Sequence, residues 1–201
     1  MNESEDVLSF WFEGIDDQIL IDKKKTPFKK WFSGGRLFDQ DVGLKFGRLL
    51  NEAFQGQWDH WQETSRGGLA LILLYDQLAR NAFRNMPVMY TGDAEALRLS
   101  LKLIEAKDDL KFLCVERLFI YMPLMHAENL SMQAMSVKVF GRLVEDIRRV
   151  NPANEWYYID QLNYAREYFS IIERFGRFPH RNNILSRPST AEELRFLQKS
   201  K

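Results

Sequence analysis

Apolar residues along this chain recur every three or four positions and almost nowhere every second one. That spacing puts them on one face of an α-helix and argues against half-buried strands. Val7, Leu8, Trp11 and Phe12 mark a first short helix, which Ser4 can cap and which stops near Gly14. Residues 14–27 read as a loop with an Asp16-Asp17 turn, a solvated Lys23-Lys24-Lys25 run and Pro27 at its end; Phe28, Trp31 and Phe32 then resume an apolar face. Over 38–54, Phe38, Val42, Phe46, Leu49, Leu50 and Phe54 form an amphipathic stripe that Gly56 ends. Gly67-Gly68 opens a long helix over about 69–83, closed by Asn85 and Pro87. Thr91 or Asp93 caps the next, with Ala94, Leu97, Leu101 and Ile104 facing inward.

A helical run over 115–122 is expected to stop at Pro123, because proline lacks the N–H that the turn needs. Asn129 or Ser131 caps a helix carrying Val137, Phe140, Leu143, Val144 and Ile147. Asn151-Pro152 places a capping side chain before a proline suited to the first turn, and the helix it starts runs to Phe175. Thr190-Ala191-Glu192-Glu193 is a capping box. Seven or eight helices with short connections, two of them reaching about 20 residues, predict an all-α antiparallel helical array, a bundle or a solenoid without a sharp repeat. A length of 201 residues predicts one all-helical domain, 1–201.

Composition narrows the function. Hydrophobic residues at 45% and charged residues at 28% define the globular class. A formal net charge of zero supplies no field to gather nucleic acid or an anionic membrane. No apolar run nears the roughly 20 residues that span a bilayer. The acidic start at Glu3, Glu5 and Asp6 is unlike a secretory leader, so a cytoplasmic location is expected. A single cysteine, Cys114 in apolar surroundings, reads as a small core residue. Glycine-rich phosphate loops and His-Glu-x-x-His are lacking, and the histidines are His60, His126 and His180; neither a cofactor nor a metal is expected.

Two clusters carry candidate chemistry. In the helix over 69–83 the first six residues are apolar all round; then Asp76, Arg80 and Arg84 recur at i, i+4 and i+8, flanked by Gln77 and Asn81. On an ideal wheel these five share one sector, where they form either a surface stripe or one wall of a polar pocket. Second, Arg174, Arg177, His180 and Arg181 crowd residues 174–182, interleaved with Phe175 and Phe178 and followed by Asn182. Guanidiniums repel one another, so such crowding implies an anion, a set of carboxylates or a nucleic-acid backbone.

These two blocks, together with 117–128 (which holds Tyr121, His126 and Glu128), Val7-Leu8-Ser9-Phe10-Trp11-Phe12 and 187–193, resemble the signature blocks of the bacterial domain-of-unknown-function 924 family, in order and over essentially the whole chain. The resemblance implies a tetratricopeptide-like superhelix and no known activity. The chain departs from the family pattern at Ala79 (proline in the family), Ala127 (serine), Met132 (aspartate) and Tyr168 (usually histidine).

The favoured reading is a pocket for a small anion, phosphate- or carboxylate-bearing, lined by Asp76, Gln77, Arg80, Asn81, Arg84, Tyr121, Arg174, Arg177, Arg181 and Asn182. A hydrolase using His126, Glu128 and His180 as acid–base groups is the alternative. A third reading is a helical module for a protein or peptide partner, with Asp76, Asp93, Glu128 and Glu173 neutralising the arginines as a purely structural clamp.

Overall fold

The structure, a computed structural model, describes residues 2–25, 28–33 and 35–199. Pro27 and the side chain of Phe32 lie outside the described residues. Every regular element among the described residues is helical.

Val7, Leu8, Trp11 and Phe12 form the buried face of α1 (Glu3–Phe12). Asn2, not Ser4, precedes it, and Ser4 donates to Asn2 Oδ1 at 2.8 Å. A short α2 (Lys29–Ser33) leads to α3 (Gly35–Phe54), which buries Val42, Phe46, Leu49, Leu50 and Ala53. Next comes a rod in three parts: α4 (Ser65–Ile72), a π-helical stretch (Leu73–Leu78) and α5 (Ala79–Ala82). The rod begins four residues earlier than expected because Thr64 caps it, accepting from the Gly67 N–H at 3.0 Å. Gly67 serves close packing instead: a Cβ there would stand 2.1 Å from the Trp61 carbonyl oxygen.

Neither Thr91 nor Asp93 caps α6 (Asp93–Glu105); Gly92 precedes it without a side-chain bond. Helix α7 (Cys114–His126) runs through Pro123 instead of stopping there. Its end is held from the next helix, where Gln133 donates to the carbonyls of Met125 at 2.7 Å and Ala127 at 2.8 Å. Asn129 caps α8 (Leu130–Val150), a 3₁₀ turn at Pro152–Asn154 precedes α9 (Glu155–Phe175), and the Thr190–Glu193 capping box opens α10 (Ala191–Lys199). Three helices, not two, reach 20 residues or more.

Packing makes α8 the partner of both α7 and α9, while α4 lies against α1 and α6. The main core gathers Trp11, residues 69–74, Phe119, Phe140 and Tyr157. A smaller core of Ile171, Ile172 and Phe178 sits at the end of α9. Cys114 is buried, and burial next to Asp17 pushes its thiol up to about 12, so it is an inert packing residue. No helix among the described residues is long and apolar enough to cross a membrane.

Candidate functional site

The π-helical stretch delivers the centre of the site. A π turn inserts one residue into the helical register and re-aims the side chains it carries. Asp76, on that stretch, is 0% exposed. Burial alone would push its carboxyl up. The neighbouring Arg80 charge, with hydrogen bonds from His126 and Gln77, more than reverses that and holds it well below the usual carboxylate range. Arg80 Nη1 lies 3.1 Å from Asp76 Oδ1 and donates to the Asp76 carbonyl at 2.6 Å. His126 Nδ1 lies 2.7 Å from Asp76 Oδ1, and Gln77 donates to Oδ2 at 2.5 Å. An ionised carboxylate only accepts, so Nδ1 of His126 is the protonated nitrogen.

Arg80 continues to Asp93 at the start of α6, 2.9 Å away but poorly aligned for a hydrogen bond. Arg181 approaches Asp93 from the other side at 3.3 Å and donates to the His126 carbonyl at 2.9 Å. Its Nε is buried without a partner. Burial and the nearby Arg80 charge lower the Arg181 pKa, and Asp93 opposes them. Both guanidiniums stack near the Tyr90 ring. The aspartate stripe, the His126 segment and the arginine block therefore touch through Asp76, Arg80, His126 and Arg181.

Two cavities flank this network. One, of about 210 Å³, is lined by Trp11, Lys30, Trp31, Gln77, Arg80, Asn81 and Arg84. The other, a groove of about 320 Å³, is lined by Asp93, Ala94, Leu97, Pro123, His126, Ala127, Glu128, Asn129 and Arg181. Arg80 lines the first cavity and its partner Asp93 the second, so the network reaches both.

Several expected site residues lie outside that network. Arg174 grips Glu192, and Arg177 grips Glu193 at 2.7 and 2.9 Å, both fastening α10. Tyr121 donates to Asp109 at 2.5 Å and accepts from Arg117 at 3.0 Å, within a separate buried network. Asn182 is buried between Ser189 and Arg187. Glu128 borders the groove, but both its oxygens are held by Arg187, and the Phe178 N–H donates to it at 2.8 Å. His180 is exposed against the Phe178 ring, and burial of its edge beside Arg181 lowers its pKa. Arg84 points to Asp39 at 2.5 Å and also reaches Asn81 at 3.0 Å. Tyr168 stands edge-on to Phe178, among the smaller core's aromatics.

Sequence reasoning missed Trp11 and Lys30 as lining residues: the apolar spacing of Trp11 marks it as core, and only its indole N–H and the Lys30 ammonium hint at more. Trp31 donates to the Trp11 carbonyl at 3.2 Å, and Lys30 to that of Phe10 at 2.6 Å. Trp11, 1% exposed, has an indole N–H with no partner.

The sequence of residues 7–201 matches the family described as bacterial protein of unknown function (DUF924). No curated protein matches. Among solved structures, a protein of unknown function from Agrobacterium tumefaciens, ATU0120, is 32% identical and superposes with a TM-score of 0.76, over 98% of this chain and 97% of that one. The chain belongs to the DUF924 family.

Proposed function

We propose that the protein binds a small anion, phosphate- or carboxylate-bearing, in the cavity between α1, α2 and the α5 end of the rod. The orphaned Trp11 indole N–H carries this reading: it is a buried donor, left without an acceptor, on the wall of a cavity that Lys30, Arg80 and Arg84 also line. Burying such a donor unpaired costs about 1–3 kcal/mol, so an acceptor in the cavity recovers that loss. Gln77 and Asn81 add amide groups, and no carboxylate among the described residues lines the cavity. Each cation is held by carboxylates outside the lining: Glu13 on Lys30, Asp76 and Asp93 on Arg80, Asp39 on Arg84. Burial lowers the Lys30 pKa, which a bound anion would counteract.

Thermal unfolding with phosphate, sulfate and small dicarboxylates, against chloride at equal ionic strength, tests this. A ligand at 100 times its Kd stabilises by about 2.7 kcal/mol. Phosphate and sulfate also stabilise by exclusion from surfaces, so the variants decide. Trp11→Phe and Arg84→Gln are each expected to weaken binding about tenfold, the loss of one charge-assisted hydrogen bond. Equal midpoint shifts in wild type and both variants would remove the proposal.

A further inference from the structure

We infer that the groove between α6 and the end of α7 is a general acid–base site in which His126 is the catalytic residue, Asp76 its positioning residue, and a neutral carboxylic ester the class of substrate. The inference is independent of the anion cavity and rests on different atoms. Asp76 fixes the imidazole twice over: the 2.7 Å contact sets its orientation, and the ionised carboxylate sets its tautomer. The neutral ring must then carry its lone pair on Nε2. That nitrogen makes no hydrogen bond with the described residues, while His126 lines the groove with 16% of its side chain exposed. A buried aspartate behind a half-open histidine is the arrangement by which a carboxylate orients a base and stabilises the imidazolium that forms.

Two further observations point to a reaction at this place. The aspartate comes from a π turn, a backbone distortion that concentrates at functional sites. Beside His126, the Arg181 Nε–H is buried, unpartnered and part of the guanidinium that borders the groove. An unpaired donor there suits an oxygen on which negative charge develops.

The charges of the groove select the substrate. Asp93 and Glu128 stand on its wall, and Arg181 is the cation that borders it alongside them. Phosphoryl transfer depends on several cations around a multiply charged group, which this wall does not offer. A neutral ester carbonyl meets no such repulsion. Leu97, Pro123 and Ala94 provide apolar surface for its substituents.

The step balances within the site. Water gives a proton to His126 Nε2 as its oxygen bonds to the acyl carbon, and the carbonyl oxygen takes up charge facing Arg181. The tetrahedral carbon then expels the alkoxide, breaking the C–O bond, and the imidazolium returns the proton to that oxygen. A carboxylic acid and an alcohol leave, with no oxidant, reductant or metal consumed.

The test uses the full chain with p-nitrophenyl acetate and butyrate. Wild type is expected to hydrolyse them with turnover well above an equal concentration of imidazole. His126→Gln is expected to lose at least 100-fold in kcat, whereas His60→Gln, a histidine tilted against the Trp58 ring, keeps the wild-type rate. Because a silent variant can be a misfolded one, His126→Gly is assayed with added imidazole, and return of activity supports the site. The ¹⁵N shifts of His126 report its tautomer separately: protonation at Nδ1 is expected from the Asp76 contact. An Nε2-protonated ring, wild-type rates no faster than imidazole, or full activity in His126→Gln each overturn the inference.

Discussion

Asp76 concentrates the energetic risk of this molecule in one side chain. Its carboxylate is fully buried, and three residues depend on it: Arg80, His126 and Gln77. Burying an ion pair gains little net stability, but deleting one partner strands the other in a poor dielectric. Arg80, 16% exposed and already misaligned with Asp93, would be the stranded partner. Asp76→Ala is therefore expected to cost about 3–5 kcal/mol, measured by urea unfolding at neutral pH. A loss under 1 kcal/mol would mean that water reaches Arg80 and that the network is less buried than described. Asp76, Arg80 and their companions stand out in the sequence because a charge stripe on an apolar helix needs partners. Which residue pairs with which does not: Asp93, His126 and Arg181, each a candidate in the sequence, lie 17 to 105 residues beyond Asp76, and no local rule links them.

At the scale of elements, the rod from Ser65 to Ala82 shows what periodicity can and cannot carry. Its apolar half was legible because residues 69–74 leave no polar face. Its π stretch was not, since a π turn shifts hydrogen-bond register without requiring any residue type. Pro123 misleads for a related reason: tertiary bonds from Gln133 hold the α7 end that local propensity would terminate. The π stretch also constrains its neighbour. Gly92, leading into α6, comes so close that an added Cβ would stand 2.7 Å from Tyr75 Cβ and 2.9 Å from Tyr75 Cα. One of those contacts is backbone, so a rotamer change cannot relieve it. Gly92→Ala is expected to destabilise by about 1–3 kcal/mol through overpacking, and a crystal structure of the variant would find α6 displaced from the rod. An unchanged unfolding midpoint would show that the rod yields more easily than its burial suggests.

Over the whole molecule, the arginine block divides its work between two bodies. Arg181 and, through Glu128, Arg187 tie residues 178–187 to the main core. Arg174 and Arg177 instead hold α10, whose apolar contact is with the smaller core through Phe175 and Phe196. That second role was not legible: the sequence assigns Arg174 and Arg177 to a ligand pocket, and no local rule pairs them with Glu192 and Glu193, 18 and 16 residues further on. The clamp on α10 is electrostatic, so acid should open it first. Arg177 holds the Glu193 carboxyl down to about 2, from an ordinary value near 4.5; burial opposes this, and the Thr190 N–H and Asn182 assist. A carboxyl with a lower pKa in the fold binds fewer protons there than in the opened chain, so acid favours opening. The clamp's contribution is complete above about 4.5 and is lost as pH falls toward about 2. Protection factors of α10 amides, exchange rates divided out by the intrinsic rate at each pH, are expected to fall across that window while α4 and α7 stay protected, since local openings follow the local interactions they break. Glu193→Gln removes the titrating group and should leave α10 protection factors low at every pH, with their acid dependence gone. If α10 and α7 instead lost protection together, the two cores would unfold as one cooperative unit and the clamp would not set the order.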